Sequence, residues 1–310
     1  MATGSGIIRK VSGKVGDLVY VVRGGQQVIR GVATSMKNPR TDAQMEQRMK
    51  WPNVLAVYRT LQPYMKDCFE TKSAGQSDYN RFMSVNLNSR PVYLEKGAAR
   101  LGAAVVAPYV LSQGSLPSIQ VSGDTPATDI ALGTLTIGSD TTVSEFAQAV
   151  VQHNEGYRYG DQISFFKLRQ EEDSQDGHPY ISVSAVRINL DPANIGKLRD
   201  MAPTDGFSTV SGMLGADAAL SGEGVAWIHS RKVDGKTRVS SQRLIVDNDL
   251  LEEHGTTQML SVATNSYGGS TDNIFIRPDG TSGGVTTEGG TGSTPGGTGE
   301  DGEGEEGTFG

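Results

Sequence analysis

Residues 13–48 read GKVGDLVYVVRGGQQVIRGVATSMKNPRTDAQMEQR and carry the most specific backbone signals of the chain. Short β-branched runs occur at Ile7–Val11, Leu18–Val22 and Gln27–Val32, and glycines separate them. Runs of this kind with glycine between them are typical of hairpin strands joined by tight turns. The sequence therefore predicts a small antiparallel β-meander.

The next signal predicts where a helix begins, and its residues are Asn38, Pro39, Thr41 and Gln44. Proline holds the preceding residue extended, and the Thr-x-x-Gln pattern is a capping box. An apolar stripe with helical spacing follows at Val54, Tyr58, Leu61, Met65 and Cys68. Because Pro52 and Pro63 fall within this segment, we expect two or three helical pieces with kinks.

The formal net charge of −7 conceals a strong segregation of charge along the chain. Residues 1–100 hold 16 Lys and Arg against 7 Asp and Glu, and residues 101–278 hold 12 against 21. Residues 279–310 add 7 acids and no base. Such asymmetry bears on partners and association rather than on fold. The basic front predicts a docking surface at Lys14, Arg23, Arg30, Arg40, Arg48 and Lys50.

More than one interpretation of these cations is open at this point. They could protect edge strands against aggregation, or lie on a solvated helix face. The basic and acidic regions could pair within one chain, or head to rear between copies of an assembly. The cations could also contact nucleic-acid phosphates.

The region after residue 114 is rich in strand-like runs. A capping box from Thr142 to Glu145 predicts a short helix, and Asp234-Gly235 predicts a hairpin turn. Asp249 is expected to cap a final helix that reaches about residue 263. The fold class is therefore α+β, with a β-meander and helices followed by an antiparallel sheet or sandwich that carries two short helices.

The chain is expected to divide into three parts. Residues 1–114 form the basic docking module, and residues 115–279 form the β-rich domain. Residues 280–310 consist of Gly, Ser, Thr and acids with few apolar groups. Such a segment buries too little apolar surface to offset ordering entropy, so we expect a disordered tail.

No pattern in the chain predicts catalysis. The four histidines fall in different segments without metal-ligand spacing, and there is no nucleophile elbow or phosphate loop. Cys68 is the one cysteine and lies among apolar residues, which is typical of a core thiol. No apolar run is long enough to span a membrane. We therefore predict no enzyme activity, cofactor or metal, although the acidic loop Glu171–Asp176 could hold calcium or be simply solvated.

Three motifs give a resemblance to a family. They are Gly13-Lys14-x-Gly16, Val28-x-Arg30 and Asn38-Pro39-x-Thr41-x-x-Gln44-x-x-x-Arg48. Over roughly residues 6–90 the chain resembles a large uncharacterised family of Bacteroidetes-type gut bacteria and their phages and prophages. The resemblance implies a phage-type or mobile-element protein, structural rather than enzymatic, and it supplies no catalytic residues.

The leading functional hypothesis is a structural component of a tailed-phage or prophage particle, at the neck, tail or capsid-associated layer. Its expected partners are other virion proteins and further copies of itself, and its expected location is the virion, after synthesis in the bacterial cytoplasm. One alternative is a DNA-associated accessory protein that uses the same basic module. A second alternative, which rests on the β-rich region, is a glycan-binding surface protein.

Overall fold

The computed structural model describes residues 2–3, 11–23, 26–32, 42–73, 75–88, 92–123, 125–201, 206–216 and 222–267. The predicted tail at 280–310 lies outside these residues, and so do Asn38, Pro39, Arg40 and Thr41. Antiparallel sheets and short helices make up the described chain, which confirms the α+β class.

The first sheet is the predicted meander. Its strands pair in the order β1-β4-β3-β2, and they are β1 (Ala2–Thr3), β2 (Gly13–Val15), β3 (Leu18–Arg23) and β4 (Gln26–Gly31). A two-residue turn joins β2 to β3, and its first residue, Gly16, has φ of +57°. Glycine adopts that conformation without steric cost, which fixes the register of this hairpin.

Of the run predicted at Ile7–Val11, residues 7–10 lie outside the described residues and Val11 belongs to no strand. The sequence did not predict β2 at Gly13–Val15, which forms because the tight turn at Gly16 pairs Val15 directly with Leu18.

The helical part of the basic module begins with α1 (Asp42–Leu61), followed by a 3₁₀ turn (Gln62–Tyr64), α2 (Asp78–Asn86) and α3 (Lys96–Leu101). The predicted interruption at Pro52 is wrong, because α1 continues through that residue. Burial of Met49, Asn53 and Val54 beside the proline offsets the lost hydrogen bond. The helix ends next to Pro63, as the pattern predicted.

A five-stranded sheet forms the centre of the molecule. Its order is β13-β12-β8-β9, and β15 pairs with the start of β12. The strands are β8 (Gln162–Glu172), β9 (Pro179–Asn189), β12 (Glu223–Val233), β13 (Lys236–Val239) and β15 (Ile245–Asp247). Asp234 and Gly235 form the predicted turn between β12 and β13.

Smaller elements surround this sheet. A second sheet has the order β10-β11-β7-β6, and β5 pairs with β14. The bounds are β5 (Val110–Ser112), β6 (Val121–Ser122), β7 (Ala127–Ala131), β10 (Ser208–Val210), β11 (Met213–Gly215) and β14 (Gln242–Arg243). The remaining helices are α4 (Val143–His153), α5 (Leu198–Met201), α6 (Asp249–His254) and α7 (Thr257–Ser266).

Two of the predicted helix starts have different outcomes. The capping box of Thr142 and Glu145 is present at the start of α4. The final helix is capped by Asn248, whose side chain accepts a hydrogen bond from the Leu250 N–H, and not by Asp249. That helix is also divided in two, since a turn at Gly255 ends α6 and Thr256 caps α7.

Both faces of the central sheet are buried. Phe166, Leu168 and Ile228 face a core shared with α1 and α2, whereas Phe165 and Trp227 face a core shared with α4. Strands buried on both faces are apolar without alternation, which explains the continuous buried runs in β8 and β12. The first core draws residues from both sides of the boundary predicted at 114, and the division into domains stays a prediction.

Candidate docking surface

Cross-strand pairing places one set of meander side chains on a single apolar face. In an antiparallel sheet, directly paired residues share a face and successive residues alternate between faces. Leu18 pairs with Val15, and Tyr20 pairs with Ile29. We call the resulting set the apolar face, and it consists of Val15, Leu18, Tyr20, Val22 and Ile29. Gln27, paired with Val22, is a polar residue on this face, and its amide donates to the Val11 carbonyl.

The apolar face is exposed in spite of its composition. The exposed fraction is 63% for Val15, 42% for Leu18 and 37% for Val22. Among the described residues between 11 and 32 none is buried, and none belongs to a hydrophobic core. Small sheets need a packed apolar face for stability, and contiguous exposed apolar surface marks interaction sites. The meander therefore has the properties of a docking surface.

Two of the predicted cations lie on the opposite face. Lys14 and Arg30 both pair with Val19, so they flank one valine across three strands. Both side chains are exposed, and neither forms an ion pair with another described residue. We call this side of the sheet, which also carries Val21 and Val28, the cationic face.

The other predicted docking residues are less accessible or lie outside the description. Arg23 ends β3, but its side chain is outside the described part of the structure, and the whole of Arg40 is outside it. Gln44 is exposed in α1, and Arg48 is half-buried in the same helix.

Lys50 is not part of the accessible surface. It is buried, it forms an ion pair with Glu46, and its ammonium group lies 5.9 Å from the ring centroid of Tyr93. Burial and these contacts leave Lys50 little surface for a partner, and its place in the docking surface stays a prediction.

A buried charge network lies at one end of the central sheet. The Asp161 carboxylate accepts hydrogen bonds from Nε2 of His229 at 2.8 Å, from Nε and Nη2 of Arg231 at 2.7 and 2.6 Å, and from the Arg158 N–H at 2.9 Å. Burial alone would raise the pKa of Asp161, but the hydrogen bonds from His229 and Arg231 outweigh it and hold that pKa at about 2. Tyr157 stacks on the His229 ring at 4.4 Å. Each side chain of this network forms a hydrogen bond or a ring contact with another member, which is typical of a structural role.

A cleft of about 640 Å³ opens beside this network. Its floor is a polar patch of the central sheet, made by Gln162, Ser164, Arg187, Asn189 and Ser230. Cys68 lines one wall, and burial raises the pKa of its thiol to about 12, so the thiol stays protonated and unreactive. His229 packs on the opposite face of the sheet, away from the floor.

The acidic loop has one arrangement that the sequence did not predict. Ligand atoms of Asp173, Asp176 and His178 all lie within 4.8 Å of one another. Glu171, at the start of the loop, instead accepts hydrogen bonds from the hydroxyls of Tyr180 and Ser182. Exposed carboxylates beside a histidine are common on protein surfaces, and the expectation of no metal stays a prediction. No helix within the described residues is long and apolar enough to cross a bilayer.

One comparison with known proteins found a match, and it covers the segment that contains β2, β3 and β4 of the meander. The model of a family of unknown function, DUF6266, matches residues 10–99. This segment runs from before β2 into α3 and is less than a third of the chain, and it confirms the resemblance to an uncharacterised family. No curated protein and no solved structure matches the chain.

Sequence reasoning identified the cations of this surface but missed its apolar face. The signal was available in the alternation of Leu18, Tyr20 and Val22 with their neighbours. It could not be used without the register of β2 against β3, because that register alone brings Val15 beside Leu18.

Proposed function

We propose that this protein is a structural component of a tailed-phage or prophage particle, at the neck, tail or capsid-associated layer. It acts by multivalent contacts that its N-terminal meander makes with other virion proteins. The observation that carries the proposal is a four-stranded sheet whose described side chains are all outside the cores of the molecule.

The physical support is that such a sheet is incomplete by itself. It has valine and leucine exposed on one face, and on the other it has two exposed cations that form no ion pair with another described residue. A partner that covers it removes apolar surface from water and supplies counter-charges. In a particle with many copies, weak contacts of this kind add through avidity.

The assignment to phage particles rests on the resemblance of residues 13–48 to proteins of phages and prophages. The charge segregation of the chain is consistent with it, because a basic front and an acidic rear favour ordered contacts between neighbours. In this proposal the protein is made in the bacterial cytoplasm and is then incorporated into the virion.

Particle incorporation is the direct test. Induced particles are purified on a density gradient, and the protein is quantified by mass spectrometry for the wild type and for the double variant Lys14→Glu/Arg30→Glu. We expect the wild type to co-sediment with the particles and the variant to be depleted. The control is Lys232→Glu/Lys236→Glu, which makes the same charge change at exposed residues of β12 and β13. Absence of the wild-type protein from purified particles would overturn the proposal.

The row formed by Lys14, Val19 and Arg30 also favours a second candidate function, in which the cationic face contacts DNA phosphates. Such binding falls steeply as salt rises. Fluorescence anisotropy with a labelled duplex at about 20 mM and about 200 mM salt tests it. Absence of binding at the lower salt concentration would eliminate this candidate.

A further inference from the structure

We propose that the cleft on the central sheet binds a small sugar acid, a molecule with one carboxylate and several hydroxyl groups. The carboxylate contacts Arg187 and Ser164. The hydroxyls contact Gln162, Asn189 and Asp191, and all five residues line the cleft. No described residue of the meander lines it, so this site is independent of the docking role proposed above. The proposal gives a place and a ligand to the glycan-binding alternative that the β-rich region suggested.

The observation that points to a ligand is the hydroxyl group of Ser164, in β8. This residue lines the cleft, is only 5% exposed and forms no side-chain hydrogen bond with another described residue. Buried hydroxyls in folded proteins are rarely unpaired, because burial removes their hydrogen bonds to water. Cross-strand pairing places Ser164 between Arg187 and Ile228, on the side of the sheet that faces the cleft. A molecule in the cleft can therefore pair with this hydroxyl.

Arg187 supplies a positive charge beside the hydroxyl. Directly paired residues on one face of a sheet have Cβ atoms about 4.5–5.5 Å apart, so Arg187 and Ser164 are immediate neighbours. Nη2 of Arg187 donates to the Tyr64 carbonyl, which restrains the side chain, and Nε and Nη1 have no partner among the described residues. A guanidinium and a hydroxyl side by side can donate several hydrogen bonds to one carboxylate, and charge-assisted bonds of this kind are stronger than neutral ones.

The next row of the same face offers both donors and acceptors. Gln162 pairs with Asn189, and the Gln162 amide donates to Oδ1 of Asn189 at 2.9 Å, which leaves Nδ2 of Asn189 as a donor. Oδ1 of Asp191 accepts a hydrogen bond from the Ala193 N–H at 2.9 Å, and Oδ2 accepts none from another described residue. A sugar hydroxyl both donates and accepts, so it can bond to an amide and a carboxylate at once.

The charges around the cleft favour a monoanion. Arg231 also lines the cleft, but its charge is neutralised by Asp161. Among the described residues, the other charged groups of the lining are three cations and two acids, namely Lys66, Arg187, Lys232, Asp67 and Asp191. Three cations against two acids leave a net charge of +1. A carboxylate matches that charge, whereas the second charge of a phosphate dianion would be opposed by the two acids.

The size and lining of the cleft also disfavour a nucleotide. Its volume of about 640 Å³ lies within the range of about 300–1,000 Å³ that is typical of small-molecule sites. Phe166 is the one aromatic residue among the described lining residues, and it is only 1% exposed. Nucleobases are commonly held by stacking on aromatic rings. A ligand recognised through hydrogen bonds and one charge therefore fits this lining better.

Isothermal titration calorimetry of the full chain tests the proposal with two sugar acids, glucuronate and galacturonate, and with their neutral counterparts, glucose and galactose. We expect a dissociation constant on the order of 0.1–1 mM for at least one acid, and binding of its neutral counterpart that is weaker by about tenfold or more. In each pair a carboxylate replaces a primary alcohol at one carbon, so the comparison isolates the contribution of the charge. Acetate and inorganic phosphate are further probes.

Three variants locate the binding site. Arg187→Gln should weaken binding of the sugar acid by about tenfold or more, since it removes the charged donor. Lys236→Gln is the matched control, because Lys236 is an exposed cation of β13 on the opposite face of the sheet, and its affinity should stay within about twofold of the wild type. Ser164→Ala should weaken binding by about threefold or more and leave the melting temperature unchanged, because the hydroxyl has no partner among the described residues.

Several results would overturn the proposal. They are failure of both acids to bind, equal affinity for an acid and its neutral counterpart, and equal losses in Arg187→Gln and Lys236→Gln. Acetate that binds as tightly as the sugar acid would show that the hydroxyls are not recognised, and phosphate that binds more tightly would show that the cleft takes a different anion. A lower melting temperature of Ser164→Ala with unchanged affinity would assign the hydroxyl a structural role and contradict its place in the site.

Discussion

The meander and the central sheet are built from similar residues and differ in what covers them. β12 buries six successive residues from Gly224 to His229 between two cores, whereas β3 buries none of its described side chains. Valine-rich strands are favourable in both places because β-branched side chains suit an extended backbone. Strand propensity therefore does not distinguish the central sheet from the meander. The two sheets differ in whether other elements of the fold pack against their faces.

The sharpest test of this contrast is Trp227→Ala in β12. The indole is buried with its ring 5.2 Å from that of Phe165, and its N–H donates to the Gly206 carbonyl at 2.9 Å. Truncation leaves a cavity and an unpaired carbonyl, so we expect the free energy of unfolding to fall by about 4 kcal/mol. Urea unfolding followed by circular dichroism measures the change. A loss below about 1 kcal/mol would be incompatible with a doubly covered sheet.

The next largest effect is expected for Asp161→Asn, which removes the charge at the centre of the buried network. His229 and Arg231 would lose their carboxylate partner, and the free energy of unfolding should fall by about 3 kcal/mol. Asp140→Asn is the control, since Asp140 pairs with Lys197 at an exposed position. Its urea midpoint should be unchanged. Equal losses in the free energy of unfolding for the two variants would contradict a stabilising role for the buried position of Asp161.

The same carboxylate predicts a dependence on pH. The pKa of Asp161 is lowered from 3.8 to about 2, so its ionised form stabilises the fold at any pH above the ordinary value. That contribution is lost as pH falls from the ordinary value through about 2. The melting temperature of the wild type should therefore fall more than that of Asp161→Asn between pH 5 and pH 2.5. Parallel melting curves for the two proteins would contradict this.

A smaller effect is expected at the start of α4. Thr142 accepts a hydrogen bond from the Glu145 N–H, and the Glu145 carboxylate accepts one from the Thr142 N–H. Thr142→Ala should lower the free energy of unfolding by about 1 kcal/mol. Thr136→Ala, at an exposed residue before the helix, should have no measurable effect. Chemical denaturation measures the free energy of unfolding of both variants and distinguishes the two outcomes.

The smallest effect belongs to the meander itself. Val22→Ala should change the free energy of unfolding by less than about 0.5 kcal/mol, because that side chain is 37% exposed and outside every core. The same substitution at Val225, buried in β12, should lower it by about 2 kcal/mol. Comparable losses at the two valines would mean that the meander packs as a core element.

Local patterns in the sequence predicted the local features of the fold. The capping box of Thr142 and Glu145 and the turn at Asp234 and Gly235 depend on residues at most three apart, and the structure contains both. The interruption expected at Pro52 did not occur, because packing of α1 against distant residues overrides a local preference. Tertiary contacts of that kind leave no pattern in a single sequence.

The candidate site was partly predictable for the same reason. Lys14 and Arg30 could be identified as cations between glycine-punctuated strands, but their common face depends on a register that only the folded sheet shows. The burial of Lys50 could not be predicted from local sequence, because its ammonium group lies near Tyr93, more than forty residues later in the chain. The pairing of Asp161 with His229 spans 68 residues and could not be read from spacing.

The core against which α1 packs limits where the segment matched by the family model can fold, either as a fragment or in another protein. Leu61 and Met65 are completely or almost completely buried there with Phe166, Ile228 and Leu244, which all lie beyond residue 99. A fragment excised at residue 99 would expose this side of α1 and would be expected to aggregate or misfold. In any relative that shares only the matched segment, other residues must therefore pack against this side of α1. They would come from a different downstream sequence or from another polypeptide.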